Sequence, residues 1–93
     1  MLSYDVKLTK KAQNDLDKIA TYYEQQSELG HRFAIYFSDC LMKLKHFPNA
    51  FGASLKPETR EMVLHEFLFI AVYRVLKTTV FIITVYHQSK QMP

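Results

Sequence analysis

The histidines and the cysteine are the residues of this chain best suited to bind a metal ion. The chain contains four histidines and one cysteine. Protein sites for zinc and related metals place such ligands at short, characteristic spacings. His31, His46 and His65 share no such spacing with one another or with Cys40. The sequence also lacks a glycine-rich phosphate loop and a nucleophile elbow, so it predicts neither a metal site nor a cofactor.

A second group of reactive types lies in the C-terminal half of the chain. Cleavage of a phosphodiester needs a base, an acid and cations that stabilise the phosphate. The same residues can also have purely structural roles. A histidine at a strand end is usually a hydrogen-bonded structural residue, and the stem of an arginine often covers apolar surface at a sheet margin. The sequence alone therefore does not identify an enzyme. The candidates are Lys56, Arg60, Arg74, Tyr86, His87 and Lys90.

Three short runs between Arg60 and His87 position these side chains. The runs are rich in valine, isoleucine, phenylalanine and tyrosine, which fit a pleated and half-buried surface, so they predict consecutive strands. The spacer at Lys77 and Thr78 has room only for an antiparallel hairpin. A type I′ turn strains residues other than glycine, so we expect this turn to be longer or slightly distorted.

Both faces of these strands are apolar, so both should be covered. The second run has two apolar faces, and so does the third run. In the second run the faces are Phe67, Phe69, Ala71, Tyr73 and Val75 against Leu68, Ile70, Val72, Arg74 and Leu76. In the third they are Phe81, Ile83 and Val85 against Val80, Ile82 and Tyr86.

The N-terminal half predicts one strand followed by two helices. Alternation over residues 3–8 indicates a half-buried edge strand, and Thr9 is placed to cap a helix over residues 10–26. A second apolar stripe, which includes Cys40, Leu41 and Leu44, predicts a helix over residues 30–46 that packs on the sheet. Phe47 and Pro48 should end it, since proline disfavours helix at the preceding residue.

The predicted fold is a single α+β domain over residues 1–93, in the order β-α-α-β-β-β, with an antiparallel sheet and a helical hairpin on one face. Two helices cover only one face of such a sheet. The other apolar face therefore predicts a protein partner, or alternatively a homodimer, because monomers rarely expose large apolar patches. The net charge of +3 permits an anionic partner but is too small and too spread out to indicate nucleic-acid binding. We predict no membrane span, and the lone cysteine suits the cytoplasm.

This order of elements resembles the RelE/ParE superfamily of toxins from type II toxin–antitoxin modules, which include plasmid-stabilisation systems. The resemblance extends over nearly the whole chain, and its ending is similar to the ParE branch. That ending is Val85 and His87, then a polar stretch closed by Pro93. Two departures are Ser89-Lys90-Gln91, where relatives often place arginine, and the Lys77-Thr78 turn, where they often place glycine or aspartate. The other residues that carry the resemblance are Leu8, Thr9, Ala12, Asp15, Leu16, Ile19, Tyr22, Gly30, Ala34, Phe37, Pro48, Gly52, Arg60, Glu61, Phe67, Tyr73, Arg74, Val75, Val80 and Ile82.

The resemblance implies a toxin neutralised by a cognate antitoxin, expected to be acidic and of ribbon-helix-helix type, which covers the open sheet face. The ParE branch implies non-catalytic inhibition of DNA gyrase. We predict that the target contacts a group at one end of the sheet, with Arg60 beside the C-terminal tail. The predicted target-binding residues are Arg60, Ser89, Lys90 and Gln91, and the predicted antitoxin-binding residues are Phe69, Tyr73, Phe81 and Ile83.

The RelE branch implies a different activity, ribosome-dependent cleavage of mRNA. In that interpretation the catalytic residues are Arg60, Arg74, Tyr86 and His87. The arginine that RelE-like enzymes place early in the preceding strand falls here on the apolar segment Leu68-Phe69-Ile70, which argues against RNA cleavage. An inactive member that only binds its antitoxin is the remaining alternative.

Overall fold

The two helices and four strands follow the predicted order. The computed structural model describes residues 3–52 and 58–88 of the chain. The elements are β1 (Asp5–Leu8), α1 (Lys10–Tyr22), α2 (Ser27–His46), β2 (Arg60–Leu64), β3 (Phe69–Leu76) and β4 (Thr79–His87). Neither helix of this described part has the length and hydrophobicity that a membrane span requires.

The sheet is mixed, whereas the sequence predicted an antiparallel one. Its strand order is β1-β4-β3-β2. The meander of β2, β3 and β4 is antiparallel as predicted, but β1 pairs in parallel with β4, from Asp5 opposite Thr79 to Leu8 opposite Ile82. The strands β1 and β2 form the two edges of the sheet. The helical hairpin connects one edge to the other, and the chain then returns toward β1 through β3 and β4. The prediction that β1 is an edge strand is confirmed.

Local sequence signals set two of the four helix ends, the start of α1 and the end of α2. The Thr9 hydroxyl accepts a hydrogen bond from the Ala12 amide at 3.1 Å, which is the predicted N-cap. Helix α1 ends at Tyr22, four residues earlier than predicted, and α2 begins at Ser27, three residues earlier. Gly30 therefore lies inside α2 rather than at its start. A Cβ at Gly30 would lie 3.2 Å from the Tyr23 Cβ, so glycine allows the two helices to approach closely.

The core lies between the helices and one face of the sheet. Cys40 is buried there, as the helical stripe predicted, and Leu44 is fully buried. Leu41, in the same predicted stripe, also packs against this core but is only partly buried. The buried apolar residues are Ala12, Ile19, Phe33, Phe37, Cys40, Leu44, Met62, Leu64, Phe69, Ala71, Tyr73, Val80, Ile82 and Val85.

Helix α1 completes the edge of β4 beyond the point where β1 ends. The Thr9 hydroxyl donates to the Ile83 carbonyl at 2.9 Å. The Asp15 carboxylate accepts from the Thr84 hydroxyl at 2.6 Å and from the Val85 amide at 3.0 Å. The side chains of Thr9 and Asp15 therefore form hydrogen bonds with polar groups at the edge of β4 that would otherwise need another strand as their partner.

Asp15 makes the stability of the protein depend on acid pH. Burial alone would raise the pKa of this carboxyl, but hydrogen bonds from Thr84, Val85 and Lys11, with the Lys11 charge, lower the pKa below its ordinary value. Because the pKa is lower in the folded state, the ionised carboxylate contributes stability above the unfolded pKa of about 3.9. That contribution is lost as the pH falls through the folded pKa.

We expect Asp15→Ala to lower the free energy of unfolding by about 2–3 kcal/mol at pH 7, because charged hydrogen bonds to buried donors are removed. The difference from wild type should shrink as the pH falls below the unfolded pKa. Urea unfolding from pH 7 to pH 3 measures both effects. Asp17→Asn is the matched control, since Asp17 lies on the exposed side of the same helix, and it should change stability little at any pH.

The β3–β4 hairpin has a two-residue turn, Lys77-Thr78, because Leu76 pairs with Thr79. The turn is therefore as short as the usual tight hairpin turn, and not longer. The strain that the sequence predicted falls on Lys77, which has a φ of 53°. Residues other than glycine, asparagine and aspartate seldom adopt this left-handed conformation.

Lys77→Gly should raise the free energy of unfolding by about 0.5–1 kcal/mol, because glycine removes the steric cost at positive φ. Thr78→Gly should lower it by a similar amount, since Thr78 does not have a positive φ and glycine there only adds freedom to the unfolded chain. Thermal or denaturant unfolding of both variants checks the pair. Equal effects of the two changes would contradict the assignment of strain to Lys77.

Candidate functional site

The face of the sheet turned away from the helices is apolar in its centre and polar at its margins. We call it the outer sheet face. Its central side chains are half-buried in the isolated chain, so they retain apolar surface that a partner could cover. The outer sheet face consists of Val63, Ile70, Val72 and Phe81, with Glu61, Arg74 and Tyr86 around them.

Of the four predicted antitoxin-binding residues, Phe81 lies on the outer sheet face, and Ile83 lies at a β-bulge where the register of β4 shifts. The placement of the other two on a partner surface was wrong. Phe69 and Tyr73 are only 1% and 0% exposed, because their side of β3 packs against the helices.

Tyr73 has a structural role in the core. Its hydroxyl donates a hydrogen bond of 2.6 Å to the Pro48 carbonyl, just after α2. Burial raises the pKa of this phenol, an effect that the Arg60 charge partly offsets, so the hydroxyl stays protonated and remains a donor. Tyr73 thereby ties the end of α2 to the middle of the sheet.

Arg60 and His87, the last residue of β4, lie at opposite ends of the sheet, whereas the predicted shared target site required Arg60 at the end where β4 finishes. Arg60 pairs with Tyr73 near the end of β3, whereas His87 pairs with Phe69 at its start. Four residues of strand separate these positions, about 13 Å. The prediction required β2 in the middle of the sheet, but β2 is an edge strand that runs in the same direction as β4. The other predicted target residues, Ser89, Lys90 and Gln91, lie outside the described residues, as does Lys56.

The two arginines border a depression where the chain enters β2. We call it the margin depression, and its volume is about 440 Å³. The Arg60 guanidinium donates from Nη1 to the Phe51 carbonyl at 2.8 Å, which anchors the segment before β2. Arg74 Nη2 lies 3.2 Å from Glu58 Oε2. The lining residues are Asn49, Glu58, Thr59, Arg60, Arg74, Val75 and Leu76.

Tyr86 and His87 point to opposite faces of the sheet. The Tyr86 hydroxyl donates to Glu61 Oε2 at 3.1 Å across the outer sheet face. Burial raises the pKa of Tyr86, and the neighbouring Glu61 carboxylate raises it further. The His87 ring packs edge-on against the buried Phe69 ring, with centroids 5.2 Å apart. The histidine is therefore on the helix side, behind the strand from Tyr86.

The four residues of the nuclease interpretation are thus not brought together. Arg60 and Arg74 are at one end of the sheet, and Tyr86 and His87 are at the other end and on different faces. Within residues 3–52 and 58–88, no group of three histidine, cysteine or acidic side chains is placed to hold a metal ion. The sequence did not indicate Glu58 and Glu61, the acidic partners of Arg74 and Tyr86, because pairing across strands and loops decides these contacts.

Comparisons with known proteins agree with this architecture. The family model for the ParE toxin of the type II toxin–antitoxin system parDE matches residues 6–92. A structure of the chromosomal ParDE toxin–antitoxin system from P. aeruginosa is similar at a TM-score of 0.79, with 25% identity, covering 89% of this chain and 94% of that one. The toxin–antitoxin complex RelBE2 from Mycobacterium tuberculosis gives a TM-score of 0.68 and 25% identity, covering 94% and 93%.

The isolated RelE toxin of E. coli shares the fold, at a TM-score of 0.57 and 21% identity, with coverage of 89% of this chain and 82% of that one. A search of curated protein sequences gave no match.

Proposed function

Since this chain belongs to the ParE toxin family of type II toxin–antitoxin systems, we propose that it inhibits DNA gyrase in the cytoplasm without catalysing a reaction, and that a cognate antitoxin neutralises it. The family match extends over residues 6–92, and the similar P. aeruginosa structure is a ParDE system. Both favour the ParE branch over a RelE-like nuclease.

The dispersal of the candidate acid–base residues is the observation that carries the non-catalytic mechanism. General acid–base catalysis needs its groups within about 3 Å of the atoms between which protons move. His87 is half-buried against Phe69 on the helix side, while Arg60 and Arg74 lie at the far end of the sheet. An inhibitor that occupies a protein surface needs no such grouping, so this arrangement supports binding rather than cleavage.

The test compares two purified targets. One reaction contains the isolated protein, DNA gyrase, ATP and relaxed plasmid, and the other contains programmed ribosomes and mRNA. We expect loss of supercoiling in the first and intact message in the second. Antitoxin, taken as the product of the neighbouring gene, should restore supercoiling. Message cut only in the presence of ribosomes would contradict the proposal, and activity in neither reaction would indicate a member that only binds its antitoxin.

His87→Gln separates the two activities further. The substitution keeps a polar side chain beside Phe69, so gyrase inhibition should stay close to the wild-type level. A ribosome-dependent cleavage that disappears in His87→Gln would instead identify a catalytic histidine and a RelE-like enzyme.

The tail remains our proposed contact with gyrase, now without Arg60. Removal of residues 89–93 is the suitable truncation, because the Gln88 amide donates to the Leu68 carbonyl at 2.8 Å and should be kept. We expect the truncated protein and Lys90→Ala to inhibit gyrase less, with antitoxin binding unchanged. Arg60→Ala serves as the comparison at the opposite end of the sheet, and a loss of inhibition there alone would move the target surface to the margin depression.

A further inference from the structure

We propose that the margin depression is a carboxylate-binding site, which takes an acidic side chain of the antitoxin together with an adjacent aliphatic one. In the free toxin, Glu58 occupies this site as an internal substitute. The inference rests on the proposed function in one respect, namely that the partner is the antitoxin. It assigns a ligand class and a place of binding to two arginines that the proposed gyrase inhibition does not use.

The first argument is the ion pair already present. The Glu58 carboxylate lies 3.2 Å from the Arg74 guanidinium, so the site holds a carboxylate in this conformation. The two side chains are 73% and 43% exposed, and exposed ion pairs are weak because water and salt screen them. Glu58 also has a φ of 67°, a conformation that residues with a side chain rarely adopt. An incoming carboxylate therefore displaces a weakly held group.

The second argument is the state of the two arginines. A guanidinium has five N–H donors in a rigid plane, which match a carboxylate. The hydrogen bond from Arg60 to the Phe51 carbonyl uses one of them and fixes the side chain beside the depression. Arg74 enters from the neighbouring strand β3. Both residues line the depression, Arg74 from the outer sheet face and Arg60 from the helix side, so displacement of Glu58 leaves the Arg74 guanidinium as the cation that an incoming carboxylate meets.

The remaining walls define the rest of the ligand. Val75 and Leu76 contribute apolar surface, and Leu76 is exposed, so an aliphatic side chain next to the carboxylate would cover them. A nucleic-acid strand fits less well, because Val75 and Leu76 provide apolar walls rather than hydrogen-bond donors for a chain of phosphates. An acidic peptide presents its charges one at a time, and the net charge of +3 attracts it.

Peptide titration tests the site itself. The probes are an acetylated tetrapeptide with the sequence Gly-Glu-Leu-Gly as its amide, the same peptide with glutamine in place of glutamate, and a thymidine dinucleotide. The readout is the NMR signal of the arginine Nε–H groups in the isolated toxin. We expect the glutamate peptide to shift the Arg74 and Arg60 signals, and the glutamine peptide and the dinucleotide to leave them unchanged. Shifts with the dinucleotide alone would overturn the proposal in favour of a phosphate site.

Two substitutions have opposite expected effects on peptide affinity. Glu58→Gln removes the internal competitor and should tighten binding by about threefold, the range of an exposed ion pair. Arg74→Met removes a charged hydrogen-bond donor but keeps the stem, and should weaken binding by about tenfold or more. Equal affinities for wild type and Glu58→Gln would overturn the role of Glu58.

The chain offers a matched control in a second exposed ion pair. Arg32 Nη2 and Glu66 Oε1 are 2.9 Å apart, and Glu66 lies in the β2–β3 turn at the other end of the sheet. Arg32→Met and Glu66→Gln should leave peptide binding unchanged. Thermal unfolding of all four variants checks that each is folded.

Antitoxin binding completes the test and separates the two proposals. Arg74→Met should weaken the complex with the neighbouring gene product, and Arg32→Met should not. If wild-type protein binds no antitoxin, the proposed function fails, whereas the peptide result still decides the site. If antitoxin binds wild type and Arg74→Met equally, the carboxylate site is wrong and the toxin assignment stands.

Discussion

Replacing Phe81 with aspartate will weaken the antitoxin complex at least about a hundredfold, or about 2.7 kcal/mol. Phe81 lies on the outer sheet face, the side of the sheet that the helices leave uncovered. Aromatic anchors at the centre of an interface often contribute more than 2 kcal/mol, and a partner that covers this position would have to remove water from the new carboxylate, which is unfavourable. The fold should tolerate the change, because Phe81 is paired with Lys7 and Arg74, which both attract a carboxylate.

Ile35→Asp is the matched control, since Ile35 is an exposed apolar residue on α2, on the opposite side of the molecule. Calorimetric titration with the antitoxin measures both affinities, and circular dichroism checks the fold of both variants. If Ile35→Asp abolishes binding and Phe81→Asp does not, the antitoxin binds the helical layer and the proposed partner surface is wrong.

Phe33→Ala will lower the free energy of unfolding by about 3–5 kcal/mol, the usual loss when a buried phenylalanine is truncated. The Phe33 ring is 6% exposed and is the centre of the aromatic cluster between α2 and the sheet. It packs against four other rings, with centroid distances of 5.3 to 6.0 Å. Those rings belong to Tyr23, Phe37, Phe67 and Phe69.

Phe47→Ala is the same chemical change at a site that is 59% exposed, directly after α2. It should alter the free energy of unfolding by no more than about 0.5 kcal/mol. Urea unfolding at pH 7 measures both variants. A loss at Phe33 no larger than the loss at Phe47 would mean that the aromatic cluster does not hold α2 on the sheet.

Local signals in the sequence predict the elements well. Thr9 caps α1 because its short side chain reaches an orphan amide, and Pro48 ends α2 because it excludes helix at Phe47. Gly30 misled the prediction of the second helix. Glycine usually breaks helices, but Gly30 lies inside α2 because Tyr23, in the preceding turn, leaves little room for a side chain at this position. Such contacts between elements leave no periodic pattern along the chain.

The candidate site was harder to predict, because it depends on which strands are neighbours. Alternation divided β3 into two faces correctly, but both faces are apolar, so the sequence could not show that Tyr73 points to the helices and Val72 away from them. The strand order places β2 at an edge, running in the same direction as β4, so Arg60 and His87 lie at opposite ends of the sheet. The contacts of Arg74 with Glu58 and of Tyr86 with Glu61 follow from that same order.

The parallel pairing of β1 with β4 also constrains how the protein is made. The hydrogen bond from Thr9 to Ile83 joins residues 74 positions apart, and the whole of β1 pairs with residues of similar separation. Contacts of such high contact order form late in folding, because long loops must close first. During translation, the N-terminal strand therefore stays without its sheet partner until β4, 74 residues later in the chain, has been synthesised. The hydrogen bonds from Thr84 and Val85 to Asp15 of α1 depend on the same strand, so they also form only after β4 is available.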